Sequence, residues 1–351
     1  MTVSRNSKRI LLHVGPHKTG STSIQETLDS HRKRLRSYDI HYLGIGSEHG
    51  DLYSAFLDKP WEWHRNRRNG LGPRATRALR LLTLFRTSLE LRTTRCKTVI
   101  ISAEQLSMLP KHNLLKLKSF LEKYAPVSVI YYCRDIHEWL ATDTQQAART
   151  GIITEPTSYR TAIRRYLDFP ANFIEVFGRD NVCFVDFEAA IESGLTNSLL
   201  NCGDLPSLDS MGMEEIRRNE SISQQAVECF FTLNKIKPLP QHPRNKRLQA
   251  ILESIPGAPY TRPGLTPEQA ADYNQKIQQL AKLAGRNAFK SVEPDNRQLP
   301  SIPDRVIDPE TLEHLLPHLL SLSAKADELP SLSNFMSRKF GSLRHIMRRL
   351  F

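Results

Sequence analysis

Ile10-Leu11-Leu12-His13-Val14-Gly15-Pro16-His17-Lys18-Thr19-Gly20-Ser21-Thr22-Ser23 is the stretch from which the rest of the chain is read. Its first five residues are apolar except for His13, the pattern of a strand buried on both faces. Gly15 and Gly20 then frame a tight loop. Ser21 opens a helix predicted over residues 21–35, with Ile24 and Leu28 four apart on one face. A strand, a glycine-framed loop and a helix N-terminus make a cradle for an anion. The glycines let backbone amides approach phosphate oxygens, and the helix end adds partial positive charge. The spacing nearly matches GxxxxGK[ST], the loop of nucleoside triphosphate-binding proteins. The lysine, however, is displaced: Ser21 stands in its place, and Lys18 lies three residues earlier, inside the loop.

Further strands are predicted over 40–43, 98–102, 127–133 and 182–187, short apolar runs bounded by turn or helix signals. Between them lies a helix over 110–124, with Leu114, Leu117, Leu121 and Tyr124 on one stripe and Pro126 as its stop. Another begins after Asp135, its predicted cap, and runs to about residue 150. This alternation predicts an α/β fold, a three-layer α/β/α arrangement around a central parallel sheet. Beyond residue 221 the patterns are helical, over 223–235 and over 267–286 with Thr266 as cap. Proline-rich connectors at 237–243, 255–263 and 293–303 divide them. The expected division is an α/β domain over 1–235, carrying an insert at 44–97, and a helical extension over 236–351. The insert holds Trp61, Trp63 and His64, aromatics that would suit an anionic or saccharide ligand in a basic cleft. Its run over 74–95 reads as a helix packing Leu81, Leu84 and Leu91 inward and leaving its arginines in solvent.

The 351 residues are 39% hydrophobic and 25% charged, an ordinary globular balance. Lys plus Arg number 49 against 37 Asp plus Glu, a formal charge of +12 that favours anionic ligands without choosing among them. No apolar run approaches the roughly 18 residues that a membrane span needs, and the polar N-terminus has no secretory pattern. The chain is read as cytoplasmic. The cysteines (Cys96, Cys133, Cys183, Cys202 and Cys229) are odd in number and scattered, which predicts reduced thiols. The basic tail, with Arg338, Lys339, Arg344, Arg348 and Arg349, reads as a solvated helix end, with peripheral contact to an acidic membrane as the alternative.

The run Lys18-Thr19-Gly20-Ser21-Thr22 resembles the 5′-phosphosulfate loop of the sulfotransferases that use PAPS (3′-phosphoadenosine-5′-phosphosulfate), in particular the bacterial and carbohydrate-type members. The resemblance implies that Lys18 contacts the 5′-phosphate and the bridging oxygen, while Thr19, Gly20, Ser21, Thr22 and Ser23 wrap the phosphate. Arg134, at the end of the 127–133 strand, and Thr142, eight residues later, resemble the family's 3′-phosphate motif with threonine in place of serine. Arg217 and Arg218 resemble a basic stretch that completes the nucleotide pocket. Glu104, just past the 98–102 strand, is comparable in place to the glutamate base of carbohydrate-type members, with His17 and His64 as the imidazole alternatives. The loop ends in Ser23-Ile24 and lacks the tryptophan found in enzymes of small phenols and steroids, which points to a carbohydrate or glycolipid acceptor. The implied chemistry is metal-free sulfuryl transfer with 3′,5′-ADP as by-product, and no nucleic-acid partner is expected. The residues leave two rivals open. One is a nucleotide kinase or NTPase in which Asp186 holds magnesium. The other is a non-catalytic basic module of the same fold that binds an anionic polymer or a membrane.

Overall fold

The structure is a computed structural model, and it describes residues 8–294 apart from 45, 47, 218–221, 237–245, 262, 263, 286 and 288. Five strands form the sheet: β1 (Arg9–Val14), β2 (Ile40–Tyr42), β3 (Thr98–Ser102), β4 (Val127–Cys133) and β5 (Val182–Asp186). All pairings are parallel, in the order β2-β3-β1-β4-β5. His13 lies opposite Ser102 and Ile130, so β1, β3 and β4 end together at one edge. Successive side chains of a strand point to opposite faces, and here both faces are apolar. Leu12, Val14, Val99, Ile101 and Val129 face one core; Leu11, Ile100, Ile130 and Val185 face the other. A sheet buried on both sides must be covered by helices on both sides, which is the three-layer arrangement observed.

The helices are α1 (Ser21–Ser30), α2 (Arg32–Ser37), α3 (Gly50–Phe56), α4 (His64–Arg68), α5 (Pro73–Thr93), α6 (Lys111–Leu121), α7 (Ile136–Arg149), α8 (Tyr159–Ile163), α9 (Phe169–Phe177), α10 (Phe187–Ser193), α11 (Leu195–Cys202), α12 (Gln224–Ile236), α13 (Lys246–Glu253) and α14 (Pro267–Ala284). Helices α3, α6 and α9 bury Leu52, Leu114, Leu117 and Phe173 in the first core, and α1, α2 and α11 bury Ile24, Leu35 and Leu199 in the second. Helix α7 is shared. It packs Trp139 with Tyr273 and Ile277 of α14, and Ala141 and Ala148 with Phe230 of α12 and Leu252 of α13.

Four expectations need correction. The helix predicted over 21–35 is two helices, because Asp29, Ser30 and His31 form a weak run in which Ser30 Oγ bonds back to the Thr27 carbonyl. Cys183 and Cys202 form a disulfide with Cα atoms 6.4 Å apart, whereas Cys96, Cys133 and Cys229 take part in no disulfide among the described residues. The pair arises because α11 packs back against β5, a contact that cysteine spacing does not reveal. Leu91 is buried and Leu84 packs against the core, but Leu81 is 62% exposed. Trp63 is a core residue, buried and set edge-on against Tyr53, and not an exposed aromatic. Thr266 caps α14 with a full capping box, as its sequence predicts. No helix among the described residues is long and apolar enough to cross a membrane. Arg218 and the basic tail lie outside the described residues.

Candidate functional site

The C-terminal edge of a parallel sheet, where strand order reverses, is where ligands of open α/β sheets bind. Here the chain runs from β1 outward to β2 and β3 on one side, then crosses to β4 and β5 on the other. The loop after β1 therefore sits over the reversal. Glu104 opens a short 3-10 turn two residues past β3, and Arg134 is the first residue after β4. All three emerge at one edge, around a cleft of about 900 Å³.

The loop is built for close approach. Lys18 holds φ 72° and Gly20 φ 71°, both in the left-handed region. That backbone is natural for glycine and costly for lysine. A Cβ on Gly20 would lie 2.3 Å from Leu195 Cδ1, so a side chain there would have to displace that leucine. Thr19 is fully buried and its hydroxyl donates to the Pro16 carbonyl at 2.9 Å, so its side chain braces the loop and faces away from the cleft. Lys18, Gly20, Ser21, Thr22 and Ser23 line the cleft. Ser21 Oγ is buried without a hydrogen-bond partner among the described residues, which is costly unless a ligand supplies one.

Arg134 joins two of the stretches. Its Nη1 donates to the Lys18 carbonyl at 2.8 Å and to Thr142 Oγ1 at 3.1 Å, and its guanidinium lies 4.9 Å from the centre of the Phe187 ring. Burial pushes its pKa down, countered first by Glu138 and Glu188, and its Nε has no partner among the described residues. A planar, partly desolvated guanidinium with an unspent donor beside a hydroxyl is matched to a phosphate dianion. Asp135 fixes the helix that carries Thr142: its Oδ1 accepts from the amides of His137 and Glu138 at 2.8 and 3.2 Å.

Glu104 also lines the cleft, and its Oε1 is hydrogen-bonded to Nδ1 of His17. The backbone there is held by Trp139 Nε1, which donates to the His17 carbonyl at 2.9 Å. An imidazole and a carboxylate thus meet beside the loop lysine. Arg217 reaches the cleft 4.0 Å from Glu215. His64 is exposed and is not among the residues of this cleft. Asp186 is committed elsewhere, capping α10 through the Ala189 amide at 3.2 Å and pairing with Lys290 at 2.8 Å.

Sequence reasoning missed half of the wall. Gln145, Gln146, Arg149 and Thr150 continue along α7 from Thr142, and Gln249 of α13 faces them. The offsets of three, four, seven and eight from Thr142 are those of one helix face, a signal present in the sequence. Arg149 is set by Glu253, whose Oε1 accepts from its Nε at 2.8 Å and from Gln249 Nε2 at 2.9 Å. Phe187, Ile191 and Leu195 add apolar side chains to the lining.

No family profile and no curated protein matches the chain. Among solved structures it is similar to a sulfotransferase from Alicyclobacillus acidocaldarius, at 14% identity and TM-score 0.40, covering 81% of this chain and 97% of that one. It is also similar to the sulfotransferase domain of the curacin biosynthetic pathway, at 13% identity and TM-score 0.36, over 59% of this chain and 77% of that one. A third is retinol dehydratase in complex with androsterone and the inactive cofactor PAP, at 15% identity and TM-score 0.33, over 83% and 82% of the two chains. These likenesses are distant, and the reading of the cleft rests on its own residues.

Proposed function

We propose that this protein is an enzyme that moves a sulfuryl group from PAPS to a hydroxyl, on a carbohydrate or glycolipid acceptor. The supporting observation is convergence: Lys18 and Ser21 to Ser23, Glu104, and Arg134 with Thr142 come from three separate stretches and line one cleft, tied together by the Arg134 bonds to Lys18 and Thr142. In this reading the loop amides and Ser21 to Ser23 hold the 5′-phosphate, and Arg134 and Thr142 hold the 3′-phosphate. The acceptor oxygen attacks sulfur, the bond from sulfur to the bridging oxygen breaks, and 3′,5′-ADP leaves. Lys18 neutralises charge that grows on that oxygen, an interaction strongest in the transition state. Glu104, oriented by a protonated Nδ1 of His17, takes the acceptor proton. Arg217 adds positive charge on the nucleotide side.

The test is a thermal-shift and calorimetric series with 3′,5′-ADP, 5′-AMP, ADP and ATP, each with and without magnesium. The expected result is metal-independent stabilisation by 3′,5′-ADP and much less by 5′-AMP, since losing the 3′-phosphate forfeits charge-assisted hydrogen bonds to Arg134. Equal stabilisation by both would remove the 3′-phosphate assignment. A magnesium-dependent preference for ATP would favour a kinase.

A further inference from the structure

Helix α5 is apolar on two sides. Its inner side supplies Leu91, buried, and Leu84, packed against the core. Its outer side carries Leu81, Phe85 and Leu89, which are 62%, 65% and 49% exposed. These residues stand at i, i+4 and i+8, so they form one stripe about 12 Å long at 1.5 Å per residue. Single exposed leucines need no explanation, but three large apolar side chains aligned on one helix form a patch of the kind that marks an interaction site.

The charge around the stripe indicates what covers it. α5 contains five arginines (Arg74, Arg77, Arg80, Arg86 and Arg92) and one acid, Glu90. Arg74 and Arg92, respectively seven residues before and eleven after Leu81, fall on the same helix face as the stripe, one at each end, and Arg77 flanks it. All three are exposed. Glu90 is turned the other way: it accepts from the Gly44 amide at 2.8 Å and pairs with His41 Nε2 at 3.1 Å. The exposed face thus carries apolar and cationic groups and no acid. A second copy of α5 laid on this stripe, parallel or antiparallel, would bring arginine against arginine at both ends, and nothing on the face would compensate. An anionic surface with an apolar interior meets both needs, because the exposed arginines, Arg92 with its guanidinium 5.8 Å from the centre of the Tyr124 ring, supply charge for headgroups while the stripe enters the acyl boundary.

We propose that α5 docks on an acidic phospholipid bilayer, with Leu81, Phe85 and Leu89 inserted at the interface and Arg74, Arg77 and Arg92 on the headgroups. The inference is independent of the chemistry assigned to the cleft. One helix face with both apolar and cationic groups supplies the two signals that stable but reversible membrane attachment requires. The attachment weakens with salt without vanishing, because ions screen the arginine component and leave the apolar one.

The test uses the full chain and sucrose-loaded vesicles of phosphatidylcholine alone, or with about one-third phosphatidylglycerol, sedimented at low and physiological salt. The expected result is binding to the anionic vesicles and little to the neutral ones. Leu81→Ser/Phe85→Ser/Leu89→Ser should lower the partition by about tenfold or more, and Arg74→Gln/Arg77→Gln/Arg92→Gln should lower it at low salt. Both variants should keep the parent's circular dichroism and thermal midpoint. Absence of binding to anionic vesicles overturns the proposal. So does binding unchanged by the serine substitutions, which would place the contact on another basic surface. A lowered thermal midpoint in the serine variant would mean that the protein's own chain covers the stripe. Loss of a concentration-dependent dimer in that variant would mean that a second copy does.

Discussion

Lys18 combines a costly backbone with a central charge. A lysine at φ 72° pays a penalty that glycine does not, and such strain at a loop over a cleft is a mark of function. Two substitutions separate backbone from charge. Lys18→Ala should lower turnover by about 10² to 10³, the range for removing one group that stabilises developing charge, while much of the 3′,5′-ADP affinity remains. Lys18→Gly should lose turnover equally, yet its unfolding free energy should match the parent's or exceed it by up to about 1 kcal/mol. Near-normal turnover in either variant removes the lysine from the mechanism. Glu104 makes a second residue-scale case. Glu104→Gln keeps size and a bond to His17 but cannot take a proton at neutral pH, so turnover should fall by about 10² to 10⁴ with 3′,5′-ADP affinity almost unchanged. If turnover survives, the base is the imidazole of His17, and His17→Gln becomes the decisive variant.

At the scale of an element, α7 links the two halves of the site. Its first turn is fastened by Asp135 and one face carries Thr142, Gln145, Gln146 and Arg149 into the cleft. Asp135→Ala leaves two first-turn amides without their acceptor and should cost about 1 kcal/mol in urea unfolding. Asp135→Ser should restore most of the loss. Affinity for 3′,5′-ADP should move little, since the cap touches helix amides; a large loss of affinity at unchanged stability would instead place Asp135 in the binding site. The element scale also shows where sequence patterns are reliable. β3 and β4 begin and end where their apolar runs do, and α14 starts at its capping box. Each depends on signals within a few residues. The break between α1 and α2 was also local, but a weak run of Asp29, Ser30 and His31 is outvoted when apolar spacing alone is read.

For the whole molecule, the sheet edge encloses histidines held neutral. Burial holds His13 at about 3 and His49 at about 4, against about 6.5 in an unfolded chain. His13 bonds Ser102 Oγ through Nδ1 at 2.8 Å, and His49 Nδ1 accepts from the Ser102 amide at 2.9 Å. Below pH 6.5 the unfolded chain binds protons that the native chain refuses. Stability therefore falls with acidification, down to about pH 4 for His49 and about pH 3 for His13, by up to about 1.4 kcal/mol per pH unit for each. Asp186 and Glu253, held low by Lys290 and by Arg149 respectively against the opposing effect of burial, add to the loss at the acid end; Glu188, raised mainly by burial, opposes it. Urea midpoints measured from pH 7 to 4.5 should fall steadily. His13→Asn, whose amide can stand in for Nδ1, should show a shallower fall. A flat profile between pH 6.5 and 4.5 would mean that these imidazoles are not buried as neutral groups.

The sequence by itself determined the strands and most helices, the strand–loop–helix turn at Gly15 to Ser23, and the caps Asp135 and Thr266. All of these follow from backbone sterics, side-chain periodicity and helix-end chemistry within some ten residues. Tertiary structure decided which distant groups meet. His17 and Glu104 are 87 residues apart and touch because β1 and β3 are neighbours in register. Trp63 went to the core because Tyr53 and the helices of the insert packed around it. Cys183 and Cys202 paired because α11 folds back on β5. Such encounters depend on the strand order β2-β3-β1-β4-β5, a property of the whole chain's packing that no local pattern encodes.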